Sequence, residues 1–244
     1  MMTTEAPTAV PQRIGLALSL TLFGIPALWL AAATSLIIPS LTQIGWAPQT
    51  AWFLAGSVVF VPLLVAALAG AWVALPAPSV PKVLEHLRVN RMTSADWRLA
   101  GAVFFFIAIS TAALYFVNAS AWPQLPSHPP FLTATTLKPA QYHILLLWLP
   151  FFAVNIIGEE LWWRGFIQPR QEPVFGRSTW IVQGALHAGF HFSFGPGLVF
   201  VLLPTVFALP WAVQRSRNTT VGIVLHAAVN GPAFVAVSLG VVPA

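Results

Sequence analysis

The sequence predicts an all-α protein, a polytopic bundle of about seven transmembrane helices in one integral membrane domain over residues 1–244, and three observations predict it. Of the 244 residues, 57% are hydrophobic and 7% are charged, against about a quarter charged in soluble globular chains. Seven apolar stretches follow one another, at roughly 14–38, 49–75, 99–118, 141–163, 178–194, 196–213 and 219–241, each near the ~20 residues that a helical crossing needs. The basic residues alternate with them in register. With a cytoplasmic N-terminus and one crossing per stretch, the inside receives Arg13, Lys82, Arg88, Arg91, Arg98, Arg164, Arg170, Arg177, Arg215 and Arg217, and the outside receives Lys138. That is the direction the positive-inside rule requires.

The formal charge of +5 is therefore topological and calls for no nucleic acid. A water-soluble enzyme and a disordered chain are excluded by the same composition. The expected setting is a cell membrane, crossed several times, with the lipid bilayer as first partner. Cys is absent, which removes disulfides, thiolate ligands and a cysteine nucleophile.

In chain order, residues 1–13 are polar and read as a loose cytoplasmic N-terminus. The first stretch superficially resembles a secretion signal around Ala31-Ala32-Ala33, but its apolar run is too long and a single Arg precedes it, so a retained helix is expected. After the second stretch, Pro76, Pro78 and Pro81 open a loop that continues through Lys82 to Arg91, compatible with an interfacial helix or a linker. The first three stretches contain no Asp, Glu, Lys, Arg or His. Pro26, Pro62, Pro150, Pro204 and Pro210 read as packing kinks, which transmembrane helices tolerate.

Ionisable groups within spans are concentrated in residues 141–241, the expected catalytic helices. A charge at mid-bilayer costs at least ~2.5–3.5 kcal/mol, so each is a functional candidate. The candidates are Glu159, Glu160 and Arg164 in the fourth stretch, His187 and His191 in the fifth and His226 in the seventh, together with the amides Asn155 in the fourth and Asn230 in the seventh. His143, at the outer edge of the fourth, reads as interfacial. Glu160 and Arg164 are four apart and share a helix face. Glu159 is rotated about 100° from Glu160, so one Arg does not easily serve both. The second carboxylate is expected to face a cavity, where desolvation suits it to general-base work. His226 and Asn230 share a face and offer two donors that could converge on an oxyanion. His187 and His191, also four apart, could present two nitrogens to a metal, or one of them could be packing.

Glu159-Glu160-Leu-Trp-Trp-Arg164 fits EExxxR, and His226-Ala-Ala-Val-Asn230 fits HxxxN, with a His-bearing helix between them. Together these resemble the CPBP family of intramembrane endopeptidases, the CAAX protease and bacteriocin-processing (Abi) family, over about residues 155–232. The family's middle motif, FxxxH, matches imperfectly. With its His at His191, His187 occupies the aromatic position; with its His at His187, Gln183 does. The flanks Gly184 and Phe192-Ser-Phe194 favour His191, whereas depth favours His187. At 1.5 Å per residue, His191 lies about 20 Å from Ser178 and His187 about 14 Å, against about 10 Å for His226 from Thr219.

The resemblance implies a glutamate-type endopeptidase without cofactor or metal. It implies that Glu159 activates a water, His191 helps to hold it, His226 and Asn230 stabilise the oxyanion, and Glu160 and Arg164 form a supporting pair. The substrate would be a membrane-embedded protein or peptide, of prenylated CAAX type or another. Rival chemistries are checked directly. Asp96 is the sole Asp, which excludes a di-aspartyl site, and there is no HExxH. A zinc enzyme using His187, His191, His226 and a Glu stays open. So does a proton-coupled transporter, although no inverted repeat is visible.

Overall fold

The computed structural model describes residues 13–132 and 136–240. Apart from Arg13, the expected loose N-terminus lies outside the described residues. Those residues form helices and connecting turns with no strand, as hydrocarbon demands, since a helix satisfies its backbone groups internally. The helices are α1 (Leu16–Ala32), α2 (Ile38–Gln43), α3 (Pro48–Val73), α4 (Val80–His86), α5 (Ser94–Ala121), α6 (His143–Glu160), α7 (Gln168–Phe175), α8 (Thr179–Phe190), α9 (Pro196–Ser216) and α10 (Thr219–Ser238). A π-helical turn, Ala33–Ile37, joins α1 to α2 in one run.

Six runs among the described residues are long and apolar enough to cross a membrane, so the chain folds as a polytopic membrane bundle. The expected count of seven changes in one place. The stretches at 141–163 and 178–194 belong to a single run, Pro139–Phe190. Helix α6 does not stop after the EExxxR motif. It continues through a π-helical segment, Leu161–Ile167, into α7. The direction changes at Gly176, whose φ of 56° and ψ of −129° leave the helical region. Helix α8 then runs for only 12 residues, about 18 Å at 1.5 Å per residue, well short of the ~30 Å hydrocarbon core.

Side chains tie the helix ends into two clusters. At one end, Thr219 donates through Oγ1 to Leu87 O (2.7 Å), and Arg88 makes a two-pronged contact with Glu172 at 2.8 and 2.9 Å. There too, Ile14 N–H reaches Arg170 O at 3.0 Å, and Gln214 Nε2 donates to Gly176 O at 2.9 Å. Helix α4 sits at this end, which decides between interfacial helix and linker in favour of a short helix. Its last residue, His86, accepts from Arg170 Nη2 through Nε2 at 2.8 Å. Burial and the Arg170 charge lower its pKa from the usual histidine value. At the opposite end, Leu137 N–H donates to Ser238 O at 2.9 Å. The neighbouring Lys138 therefore lies away from the arginine-rich end, as the alternation in the sequence requires.

The core is aromatic. Trp52 and Phe60 of α3 pack edge-on, with centroids 6.1 Å apart, and Phe53 stacks on Phe151 of α6 at 5.2 Å. Close approach of α3 and α6 depends on Gly158. A Cβ there would lie 2.7 Å from Phe60 O, so the residue before Glu159 is small because another helix's backbone occupies the space.

Candidate active site

The π-helical segment Leu161–Ile167 follows immediately on Glu159 and Glu160. Such segments leave wider turns and recur at functional sites. Here Gln183 of α8 donates through Nε2 to Trp163 O at 3.2 Å and to Gln171 Oε1 at 2.6 Å, pinning α8 to the widened turn. Trp163 is wholly buried, stacked on Phe23 at 4.0 Å. Tryptophan anchoring thus fixes the helix at the point where its acidic pair is presented.

Seven polar side chains from α6 and its π-helical continuation, from α8 and from α10 form one continuous line. Asn155 Nδ2 donates to Glu159 Oε1 at 2.8 Å, and Glu159 Oε2 meets His187 Nε2 at 2.8 Å. His187 Nδ1 meets Arg164 Nη2 at 2.7 Å. Arg164 Nη1 pairs with Glu160 Oε1 at 3.3 Å, and that oxygen also meets His226 Nδ1 at 2.9 Å. His226 Nε2 meets Asn230 Nδ2 at 2.9 Å. Glu159, Glu160, Arg164, His187 and His226 are all 5% exposed or less. Each charged group thus has a hydrogen-bond or ion-pair partner where an unpartnered one would be costly.

Donor chemistry assigns the protons. Guanidinium is donor-only, so His187 Nδ1 accepts from Arg164, and Nε2 carries the hydrogen that it donates to Glu159. His187 is a neutral ring with both nitrogens committed. An ionised carboxylate is acceptor-only, so His226 Nδ1 donates to Glu160, and its Nε2 accepts from Asn230. His191 is the C-cap of α8 and directs Nδ1 at His187 O, 3.0 Å away. Its Nδ1 is then the donor, and the Nε2 lone pair remains as an acceptor. The His187 and His191 ring centroids are 4.8 Å apart.

Every residue singled out for the site is therefore brought together, with differences from expectation. The predicted Glu160–Arg164 pair is present, and the two glutamates do diverge to separate helices. Glu159 does not face an open cavity, however. Asn155 and His187 occupy its two oxygens. His226 and Asn230 do not converge on one point, because His226 turns one nitrogen to Glu160 and the other to Asn230. His187, rather than His191, makes the direct contact with Glu159. Helix α8 ends at Phe190, so His191 (φ −87°, ψ 11°) leaves the helical face that the i, i+4 rule assumes.

One ligand atom from each of Glu159, His187 and His191 lies within 4.8 Å of the others, a set that could be considered for a metal. The donor chemistry does not fit it. His187 Nε2 is protonated because Arg164 holds Nδ1, which leaves two donors where a catalytic zinc takes three protein ligands.

Gly222 was not legible as a site residue. Glu160 Oε2 is buried without a hydrogen-bond partner, and a Cβ on Gly222 would lie 2.5 Å from it and 2.9 Å from Val213 Cγ2. Gly222→Ala is expected to displace the Glu160 carboxylate and to lower stability by ~1–3 kcal/mol, the usual overpacking cost. Thermal unfolding of the purified protein in detergent checks this, and an unchanged midpoint would contradict it.

Residues 141–231 match the family model described as Rce1-like, type II CAAX prenyl endopeptidase. The matched segment contains every residue of the hydrogen-bonded line. No curated protein and no solved structure matches the chain.

Proposed function

We propose that the protein hydrolyses a peptide bond of a membrane-associated protein or peptide, of the prenylated CAAX class, by glutamate-activated water, a reading supported by the likeness of residues 141–231 to the type II CAAX prenyl endopeptidase model. The observation that carries this reading is the environment of Glu159, a buried carboxylate oriented on both oxygens and adjacent to His191. A water between Glu159 and the His191 Nε2 lone pair gives one hydrogen to each acceptor. Its own lone pair then points at the substrate carbonyl. As the oxygen attacks, its proton passes to Glu159, and the new C–O bond leaves negative charge on the former carbonyl oxygen. Asn230 retains a second amide hydrogen for that oxyanion, and His226 orients it. When the C–N bond breaks, the proton on Glu159 passes to the leaving nitrogen. Arg164 acts at one remove, holding the His187 tautomer and neutralising Glu160.

The commitment of His187 Nδ1 to Arg164 supports catalysis without a metal. The basic end carries ten arginine and lysine residues against Lys138 at the other, which supports a cytoplasmic N-terminus in a cell membrane. Purified protein in liposomes is expected to cleave a farnesylated, fluorescent CAAX peptide at the same rate with and without a strong zinc chelator. Chelator inhibition reversed by zinc would overturn the metal-free mechanism. Absence of cleavage for both the farnesylated peptide and its unprenylated counterpart would overturn the protease reading.

A further inference from the structure

A concavity of about 490 Å³ opens between α5, α8 and α9, with Ala102, Phe106, Trp180, Pro204, Phe207 and Trp211 among its walls. None of the residues of the Glu159 line contributes to it. Its lining is apolar and offers almost nothing to the backbone groups of a peptide, which in hydrocarbon must be satisfied. A hydrocarbon chain makes no such demand.

The rim has the opposite character. Arg98 directly precedes Leu99 of the wall, Arg177 lies three residues before Trp180, and Arg215 lies one turn beyond Trp211. All three are exposed. Their helix ends are tied together, since Trp180 N–H donates to Gln214 Oε1 at 3.0 Å and Asn218 Nδ2 to Asp96 Oδ2 at 3.4 Å. The nearby acidic groups are engaged elsewhere. Asp96 closes the capping box of α5 with Thr93, and Glu172 pairs with Arg88. Among the described residues, none of the three arginines forms an ion pair with a carboxylate. The exposed Trp97 and Trp211 stand beside them, residues that favour the headgroup level.

We propose that this groove binds an anionic glycerophospholipid, with one acyl chain between α5, α8 and α9 and the phosphate against Arg98, Arg177 and Arg215. Basic pockets between transmembrane helices recognise anionic headgroups in this way, and guanidinium suits phosphate geometrically. The site is independent of the protease reading.

Native mass spectrometry of the full-length protein, equilibrated with equal amounts of phosphatidylglycerol and phosphatidylcholine, tests it. Wild type is expected to retain phosphatidylglycerol preferentially. Combined Arg98→Gln, Arg177→Gln and Arg215→Gln should reduce that preference about tenfold or more. Ala102→Trp, which fills the groove from an exposed position on α5, should displace the bound lipid. Arg91→Gln with Arg217→Gln removes two exposed arginines at the same end that are not beside the walls, and should leave the preference intact. Thermal unfolding of each variant in detergent confirms that it is folded. Equal loss of preference in the two arginine variants would overturn the proposal in favour of a diffuse surface charge. Undiminished lipid retention by folded Ala102→Trp would overturn the placement of the chain.

Discussion

Glu159→Gln is expected to slow peptide cleavage by at least ~10²-fold, the lower end of what a positioned general base supplies, while leaving the fold unchanged. The side chain keeps its size, and its carbonyl oxygen still accepts from His187 Nε2–H. The new amide hydrogens face Asn155, whose own amide rotates to present oxygen in place of nitrogen. The buried hydrogen bonds therefore close again, and the variant lacks a group able to accept the water proton. Comparing initial rates on the farnesylated peptide with the thermal midpoints of both proteins separates chemistry from stability. Cleavage at the wild-type rate by Glu159→Gln would falsify the assignment of Glu159 as the base. A transporter reading gains if the variant loses proton-linked uptake instead.

Arg164→Met is expected to destabilise the protein by ~3–5 kcal/mol, the range for removing one partner of a buried ion pair. Arg164 is wholly buried and serves two clients, Glu160 Oε1 at 3.3 Å and His187 Nδ1 at 2.7 Å. Removing it leaves a buried carboxylate without its cation and a ring nitrogen without its donor. Arg164→Met combined with Glu160→Gln is expected to recover most of the stability, because the uncompensated charge is gone. It should remain inactive, because His187 is free to take the other tautomer and present a lone pair to Glu159. Arg164→Lys should not substitute, since an ammonium lacks the fork that spans both partners. Denaturation in detergent and the peptide assay read the two effects. A single variant as stable as wild type would refute the pairing argument.

Much of this site follows from local rules. Glu160 and Arg164 meet because four residues separate them, and Glu159 reaches a different helix because it is one residue out of step. The π-helical segment does not disturb this, since Arg164 is only its fourth residue. The choice between His187 and His191 is not local. It depends on where α8 ends, and α8 ends early because Gly195 (φ 87°) and the Phe192–Phe194 turn start the reversal into α9. The contact of His226 with Glu160 depends on how α10 packs beside α6, which Gly222 permits. No motif spacing contains that information.

The shortage of charge by itself determined a membrane bundle, because hydrocarbon leaves a helix few alternatives, and the alternation of basic residues determined which loops share an end. Tertiary packing decided which atoms are paired. Hydrogen bonds between helices depend on sub-ångström approach, set here by Gly158, Gly222 and the stacked aromatics. Helical periodicity limits a residue to a face of its own helix, while the neighbour opposite is chosen by the whole core.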